Sequence, residues 1–575
     1  MAYPALAQVG TSTLTGRVVD ATNAAIPNAQ VKVANQESGS AVSVSANNDG
    51  IYRAATLIPG TYSVEVRAPG FDAVVRKNVV IQVAQTLAAD FTLQVGAQSQ
   101  TMEVTGDLPA LDSQSSSLGQ LVNQKMIADL PMPNRAATSL VNLSPGVVMI
   151  TSGEGAENYP VFSVAGGRAR NQDYTLDGGN VTNAVGVTRP QQQTSLPLDA
   201  MQEFRVISNN YAAEYGHSTG GIIALSTRSG GNDFHGSLFE FARNNALDAR
   251  NFFAAATPPL NLHQFGGSLG GPIRKDKTHF FASWEETRET FGSASVLTVP
   301  TVAERQGDFS ALPSVIYDPA TLANGKKQPF AGNVVPRASL DPVALAVLPY
   351  IPLANRAGTA NNYVANSHSA LRRDILVGKL DHNLSANNLL TARYYINDYR
   401  QQDDGAYGIP AADPNAGTTD GRVQSIMGSY VHVFSPTVTN NLSVSYDQRK
   451  FVQQRIGSGQ GLAQQIGLAN VSNAAFPTIG INGYAPLGSP GTINAAVARI
   501  QTPIADTQVL ESISKFHGKH AIKAGLEYRR GSNRETDDIT SSGALTFTRQ
   551  ITDQPGVSGT GDAFASFLTG LANAA

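Results

Sequence analysis

Between Tyr211 and Asn244 the hydrophobic pattern of the chain changes. Ile222 to Leu225 form an unbroken apolar run framed by Gly220-Gly221 and Gly230-Gly231, as in a strand buried on both faces. Phe239 and Phe241 then fall on one face and Glu240 on the other. A period of two with aromatic residues on one side predicts a barrel strand whose phenylalanines meet lipid. The alternation recurs downstream. Phe280, Ala282 and Trp284 alternate with Phe281, Ser283 and Glu285, and Leu390, Ala392, Tyr394 and Ile396 with Thr391, Arg393, Tyr395 and Asn397. Leu442, Val444 and Tyr446 are separated by two serines, and Ile522, Ala524, Leu526 and Tyr528 alternate with Lys523, Gly525, Glu527 and Arg529.

A soluble amphipathic sheet would alternate in the same way. The charged set suits a watery lumen, and the connections favour a membrane barrel. Short turns at Ser385 to Asn388, Ser435 to Thr437 and His517 to His520 lie on one side. Long loops from Thr287 to Leu371, Gln401 to Gly421 and Val452 to Ala505 lie on the other, and the first of these is expected to fold as an ordered cap.

Upstream of the join, strand-like runs at Leu14 to Val19, Ala29 to Ala34, Ala41 to Ala46, Ile51 to Ala54, Gly60 to Ala68, Val74 to Val83 and Thr86 to Leu93 are separated by turn residues such as Asn47-Asn48-Asp49-Gly50. They predict a seven-stranded β-sandwich over residues 11–94. Residues 95–232 read as a small α/β domain. It opens with the extended Thr101 to Thr105, holds a helix pair at Asn123 to Leu130 and Ala136 to Leu143, and continues in short strands between Gly- and Asn-rich loops. Residues 233–575 then read as ten to twelve strands of an incomplete antiparallel transmembrane β-barrel. The fold class is mainly β.

Composition narrows the function classes. A chain of 575 residues with 54 Gly, 22 Phe, 18 Tyr and no Cys has no thiolate metal site, Cys nucleophile or disulfide. Net charge −3 without a dense basic run gives no nucleic-acid footprint. No apolar run approaches the roughly 18 residues of a membrane helix, so any membrane crossing falls to strands. The 9 His residues, among them His217, His235, His263 and His279, form no HExxH or HxxE frame and read as solvated strand-end or loop residues. No cofactor, metal site or catalytic constellation is expected. Residues 1–10 read as the remnant of an export signal: Ala5-Leu6-Ala7 before Gln8 has small-x-small form, although the basic and apolar regions are missing and an Ala-rich terminus is the plainer alternative.

Three resemblances sharpen this picture. Gly16-Arg17-Val18-Val19-Asp20, Asp49-Gly50-Ile51-Tyr52 and Ile58-Pro59-Gly60-Thr61-Tyr62 resemble the carboxypeptidase regulatory-like domain, a sandwich that accompanies catalytic domains and hydrolyses nothing itself. Asn171-Gln172-Asp173-Tyr174-Thr175-Leu176-Asp177-Gly178 and Gly220-Gly221-Ile222-Ile223-Ala224-Leu225 resemble motifs of the TonB-dependent receptor plug. The order of the three units, with Asn209-Asn210-Tyr211 and Ala213-Glu214-Tyr215-Gly216, resembles the Oar-like branch.

The resemblance implies a receptor in the cell outer membrane, seated in its lipid, in which a plug blocks the barrel lumen. A periplasmic TonB-type energy-transducing protein would pull on an extended segment, for which Thr101, Met102, Glu103, Val104 and Thr105 are the candidates, the alternative being the plug's first strand. The ligand would be a siderophore, oligosaccharide or peptide. Tyr159, Arg168 and Arg170 lie near plug loops, and Gly230-Gly231 would be the hinge-like link to the barrel. A family barrel of about 22 strands needs more chain than follows the join, so the resemblance implies a fragment. A non-transporting adhesion or polysaccharide-binding outer-membrane protein is the competing class, with an enzyme a distant third.

Overall fold

The computed structural model describes residues 12–96, 101–104, 117–130, 132, 135, 137–151, 161–168, 171–182, 196–216, 218–250, 257–488, 497–501, 504–518, 520–534, 536–539 and 542–573. The first unit is a two-sheet sandwich. Ile51–Leu57, Ser12–Asp20, Thr86–Ala88 and Phe91–Leu93 make one sheet. Ala41–Ser45, Gln30–Asn35, Gly60–Arg67, Ala73–Ile81 and Thr101–Val104 make the other. The expected Asn-rich turn forms because the Asn47 side chain accepts the N–H groups of Asp49 and Ile51 (2.9 and 2.8 Å) and Gly50 takes φ +74°. Alternate residues such as Val31, Val33, Val64 and Val66 are fully buried between the sheets.

The second unit carries a five-stranded sheet in the order Leu118–Val122, Met201–Asn209, Ile222–Thr227, Asp173–Leu176, Gly179–Asn180. All six residues of Ile222–Thr227 are buried, as the unbroken apolar run predicts. Of the expected helix pair, Gln124–Asp129 is α-helical and capped by Asn123, whereas Ala137–Leu143 is a 3-10 helix. Its core is continuous with Phe281, Ile375, Val377, Tyr395 and Val423 of the large sheet downstream.

That sheet has 11 strands. Its long members run as a meander through His235–Asn244, Leu260–Arg274, Thr278–Phe291, His368–Ser385, Asn388–Gly405, Gly417–Ser435, Val438–Arg455, Ile504–His517 and His520–Asn533. The first and last of these strands do not pair with each other among the described residues. The three short turns fall where expected, closing on the pairs Ser385 with Asn388, Ser435 with Val438 and His517 with His520. The strands, however, are 14 to 19 residues long from Leu260 onward. Spanning hydrocarbon takes about 9–11. The excess lengthens the strands on the loop side, so the expected loop Gln401 to Gly421 shrinks to residues 406–416.

The outward face carries an apolar band of Trp284, Leu376, Leu380, Tyr394, Ile426, Val444, Tyr446, Leu526 and Tyr528, all exposed. Toward the loop side the band stops abruptly. The next outward row is Glu286, Asp374, Asp398, Arg422 and Lys450, paired strand to strand, and the row beyond it is Arg288, Arg372, Arg400, Asp420 and Val452. The period of two puts every charge in these rows on the outer face.

One strand departs from the sequence reading. Phe239 and Phe241 do not face outward: the Arg135 guanidinium of the second unit lies 4.7 and 4.0 Å from their ring centroids, and Ser237 on the same face donates to Asp199 (2.8 Å). The outward residue is Leu238, 92% exposed. Strand register sets this facing, since Phe239 lies opposite Gly266 and Gly266 opposite the buried Glu285, and Arg135 adds a cation–π contact to both rings.

On the loop side, segments distant in sequence share one hydrophobic core. Val299, Phe309, Val347, Tyr407, Leu462, Phe476, Leu487 and Phe547 are all buried in it. The helix Ala563–Leu568 inserts Phe564 and Phe567, capped by Asp562, whose side chain accepts the Phe564 and Ala565 N–H groups (2.7 and 3.2 Å). A capping box at Thr301 and Glu304 starts another short helix, Val302–Arg305. The expected cap is therefore ordered, and it draws on all the long loops.

Candidate functional site at the inner face of the sheet

The plug-like motif converges on the sheet wall. Asp173–Leu176 pairs in parallel with Ile222 to Leu225, and Leu176 is fully buried. Asp177 (φ +51°) and Gly178 (φ +87°) then turn the chain, a conformation glycine adopts freely and Asp tolerates. The turn presents the Asp177 carboxylate to two wall cations, Arg393 (3.3 Å) and Lys379 (3.6 Å). The Thr227 N–H and hydroxyl donate to the same carboxylate at 2.9 and 2.7 Å. Burial alone would raise the Asp177 pKa, but Lys379, Arg393 and the Thr227 hydrogen bonds outweigh it and hold the carboxyl below its ordinary range. Arg393 also donates to the Leu176 carbonyl (2.6 Å) and Ser425 (2.7 Å), and Lys379 to the Thr227 carbonyl (3.3 Å).

Two more contacts extend the interface. Asp173 lies 3.5 Å from Arg529, and the Asn180 N–H donates to Gln508 (2.8 Å), whose amide donates to Glu527 (2.7 Å). Asn171 holds the return strand: its carbonyl accepts the Gly220 N–H (3.0 Å) and its side chain donates to Thr219 (2.8 Å). Gly221 has φ +103°, and a Cβ there would stand 2.7 Å from Val164. The inward charges Arg393, Glu527 and Arg529 belong to the alternation visible in sequence. Lys379, Ser425 and Gln508 do not stand out there, although Lys379 sits in phase with Val377 on an alternating strand.

At the turn side the sandwich abuts the second unit. The Glu203 carboxylate accepts the Val83 N–H, and Arg205 donates to the Ala84 carbonyl (3.3 Å). Burial pushes the Glu203 carboxyl up to about 7, against the opposing pull of the Val83 hydrogen bond and Arg205. The Gly230-Gly231 link is tightly packed: a Cβ on Gly230 would lie 2.1 Å from the Phe280 carbonyl oxygen, and the Asn232 N–H donates to the Glu37 carbonyl (2.7 Å). His279, expected to be solvated, is 1% exposed and hydrogen-bonded to Asn232 (3.0 Å). A cavity of ≈ 520 Å³ lies between Val33, Tyr62 and Ser38 of the sandwich and Lys277, Asn383 and Leu389 of the short turns.

Thr101–Val104 does not open the second unit's sheet. It pairs in parallel with Ala73 to Arg76 as the edge strand of the sandwich. Thr105, Tyr159, Arg170 and His217 lie outside the described residues, and Arg168 is exposed. Among the described residues no three His, Cys, Asp or Glu side chains are grouped as metal ligands.

Comparison with known proteins agrees with this geometry. Residues 13–94 match the carboxypeptidase regulatory-like domain, and residues 226–575 the outer membrane beta barrel domain. Over 303 residues, 49% of its length, the chain is 30% identical to the TonB-dependent transporter Oar of Myxococcus xanthus, of which it spans 27%. Similar solved structures include the outer membrane transporter YddB from Escherichia coli (TM-score 0.45, 10% identity, 72% of this chain and 48% of that one). The siderophore receptor PirA from Acinetobacter baumannii is another (TM-score 0.43, 12% identity, 75% and 50%). Oar, YddB and PirA are transporters and receptors, not enzymes. The second match covers more than half of the residues, and the chain belongs to the outer membrane β-barrel domain family, which places it in the outer membrane.

Proposed function

We propose that this chain serves energised uptake of an extracellular ligand of siderophore, oligosaccharide or peptide type, with residues 95–232 acting as the plug and residues 233–575 as barrel wall. The anchoring of Asp177 by Arg393 and Lys379 supports the reading most directly. Buried charges hold the second unit against the wall alongside the hydrophobic core that it shares with Phe281, Val377 and Tyr395, as a seated plug requires.

In this reading the short turns face the periplasm and the shared-core cap faces outward. A TonB-type partner would recruit the Thr101 to Thr105 segment by strand addition. The test is binding of a peptide spanning Gln98 to Asp107 to the periplasmic domain of a TonB-type protein, together with uptake after deletion of that segment. Binding with lost uptake supports transport. No binding with unchanged uptake rejects it.

A further inference from the structure

Three of the connections that build the loop-side cap meet at one polar point. Glu304 comes from the helix Val302–Arg305, Tyr484 from the turn after Thr478–Ile481, and Asp562 from the N-cap of Ala563–Leu568. The Tyr484 hydroxyl lies 3.3 Å from Glu304 Oε1 and 3.4 Å from both carboxylate oxygens of Asp562. Glu304 is 2% exposed, and the Phe564 ring packs on that of Tyr484 with centroids 5.4 Å apart.

The point is short of a hydrogen. A phenol carries one proton, and an ionised carboxylate only accepts. With both acids charged, Tyr484 can serve one of them, and the other meets its oxygen with no hydrogen between. The nearby N–H groups are already engaged: Glu304 Oε2 accepts that of Thr301 (2.6 Å), and Asp562 Oδ1 those of Phe564 and Ala565 (2.7 and 3.2 Å). One further proton completes the set, because a protonated carboxyl donates to the Tyr484 oxygen while the phenol donates to the second acid.

Among the described residues no cation relieves the two acids. Arg305, next to Glu304, is turned to the carbonyls of Pro300, Leu348, Ile351 and Pro352. Lys327 is held by the Gln550 and Ile551 carbonyls and Asp553. Arg549, on the 3-10 helix packed against Ala563–Leu568, is exposed. Asp341 sits at the far end of Ala563–Leu568, where its N–H donates to the Leu568 carbonyl and its side chain caps Pro342–Val347. The strands Thr478–Ile481 and Ala544–Phe547, which also pack on that helix, bring no charged residue. Burial, reinforced by the Glu304 charge, raises the Asp562 carboxyl above its ordinary value against the pull of its hydrogen bonds.

We infer that Glu304, Tyr484 and Asp562 form a proton-operated latch in the cap. With the shared proton bound, three connections are tied at one point. When it leaves, two carboxylates face each other across a single phenol, and Ala563–Leu568 loosens from Val302–Arg305. The sign follows from the raised carboxyl: the latch is fully made below the ordinary value of 3.8 and is lost as pH rises through the folded value. The inference concerns the cap alone and does not depend on transport.

The test follows hydrogen exchange by mass spectrometry on the full chain in zwitterionic detergent at about pH 5 and about pH 8, expressed as protection factors. Peptides covering 301–306 and 563–569 should be about tenfold better protected in acid, while the sheet around Val423 keeps its protection. Glu304→Gln and Asp562→Asn each supply the missing hydrogen from an amide, and both side chains still accept the N–H groups of their helix starts. Each variant should therefore hold the acid level of protection at the higher pH as well. Such a gain cannot come from misfolding. Equal protection of the parent at both pH values, protection that rises with pH, or an unchanged pH dependence in both variants would each overturn the inference.

Discussion

Asp177 and Arg393, 216 positions apart in the chain, meet at 3.3 Å with the arginine side chain wholly buried in the sheet. Replacing Asp177 removes the carboxylate that both Arg393 and Lys379 contact and leaves the buried Arg393 with only the more distant Asp447 as a nearby acid. Removal of one partner of a buried pair costs about 3–5 kcal/mol. Asp177→Ala is therefore expected to make the second unit protease-sensitive while the sheet stays intact, as followed by limited proteolysis in detergent. Asp177→Glu should cost less. Equal digestion of Asp177→Ala and the parent would reject the anchoring role.

Glu203 gives the junction between sandwich and second unit a pH dependence. Its folded pKa of about 7 lies above the ordinary carboxyl value of 4.5. The folded state then holds a proton that the unfolded state has released, so stability is full below about 4.5 and is lost as pH rises through about 7. The difference is roughly 3 kcal/mol. The protection factor at Val83, which removes the intrinsic pH dependence of amide exchange, should fall as pH rises from about 4.5 to about 7, and Glu203→Gln should flatten it. An unchanged profile in the variant would assign the effect elsewhere.

Gly230 and Gly231 should tolerate side chains unequally. A Cβ at 230 meets the Phe280 carbonyl oxygen at 2.1 Å, whereas at 231 the nearest atom, the Glu37 carbonyl oxygen, is 3.0 Å away. Gly230→Ala must displace backbone and is expected to lower the melting temperature by several degrees more than Gly231→Ala. Similar melting of the two variants would contradict the clamped link.

The chain has no cysteine, so single cysteines report orientation cleanly. With a fluorophore on Leu238→Cys, a quencher carried on lipid acyl chains should quench strongly. The same label on Phe239→Cys should not respond. Quenching at both positions would restore the outward placement of the phenylalanines.

A cysteine pair can also test the strand that the sandwich borrows. Val75 and Glu103 are Cα partners in parallel register. Val75→Cys with Glu103→Cys should oxidise to a disulfide, and the bonded form should bind a TonB-type periplasmic domain more weakly than the reduced form, as measured by pull-down. Undiminished binding in the bonded form would show that this strand need not leave the sandwich.

Much of the fold was legible because a period of two is a local property. The inward set of Thr391, Arg393, Tyr395 and Asn397 follows from spacing alone, and so does the burial of Ile222 to Leu225. The facing of Phe239 and Phe241 was not, since aromatic rings suit either side and the register with Leu260–Arg274 and Thr278–Phe291, which no local pattern gives, decides it. Lys379 could be placed on the inner face by counting, but its meeting with Asp177 depends on strand register and on the seating of a second unit. The helix at Phe564 was hidden for a related reason. Its burial requires Phe309 and Tyr484, which no local pattern associates with it.

The shared core of the loop-side cap limits how this surface can diversify. Where loops are independent, one can be exchanged and the rest keep their shape. Here Val299, Tyr407, Leu462 and Phe564 fill the same interior, so a graft at any one connection opens a void against the other three. New recognition properties must then arise through exposed positions on a fixed frame, or through coordinated replacement of the whole cap as a cassette.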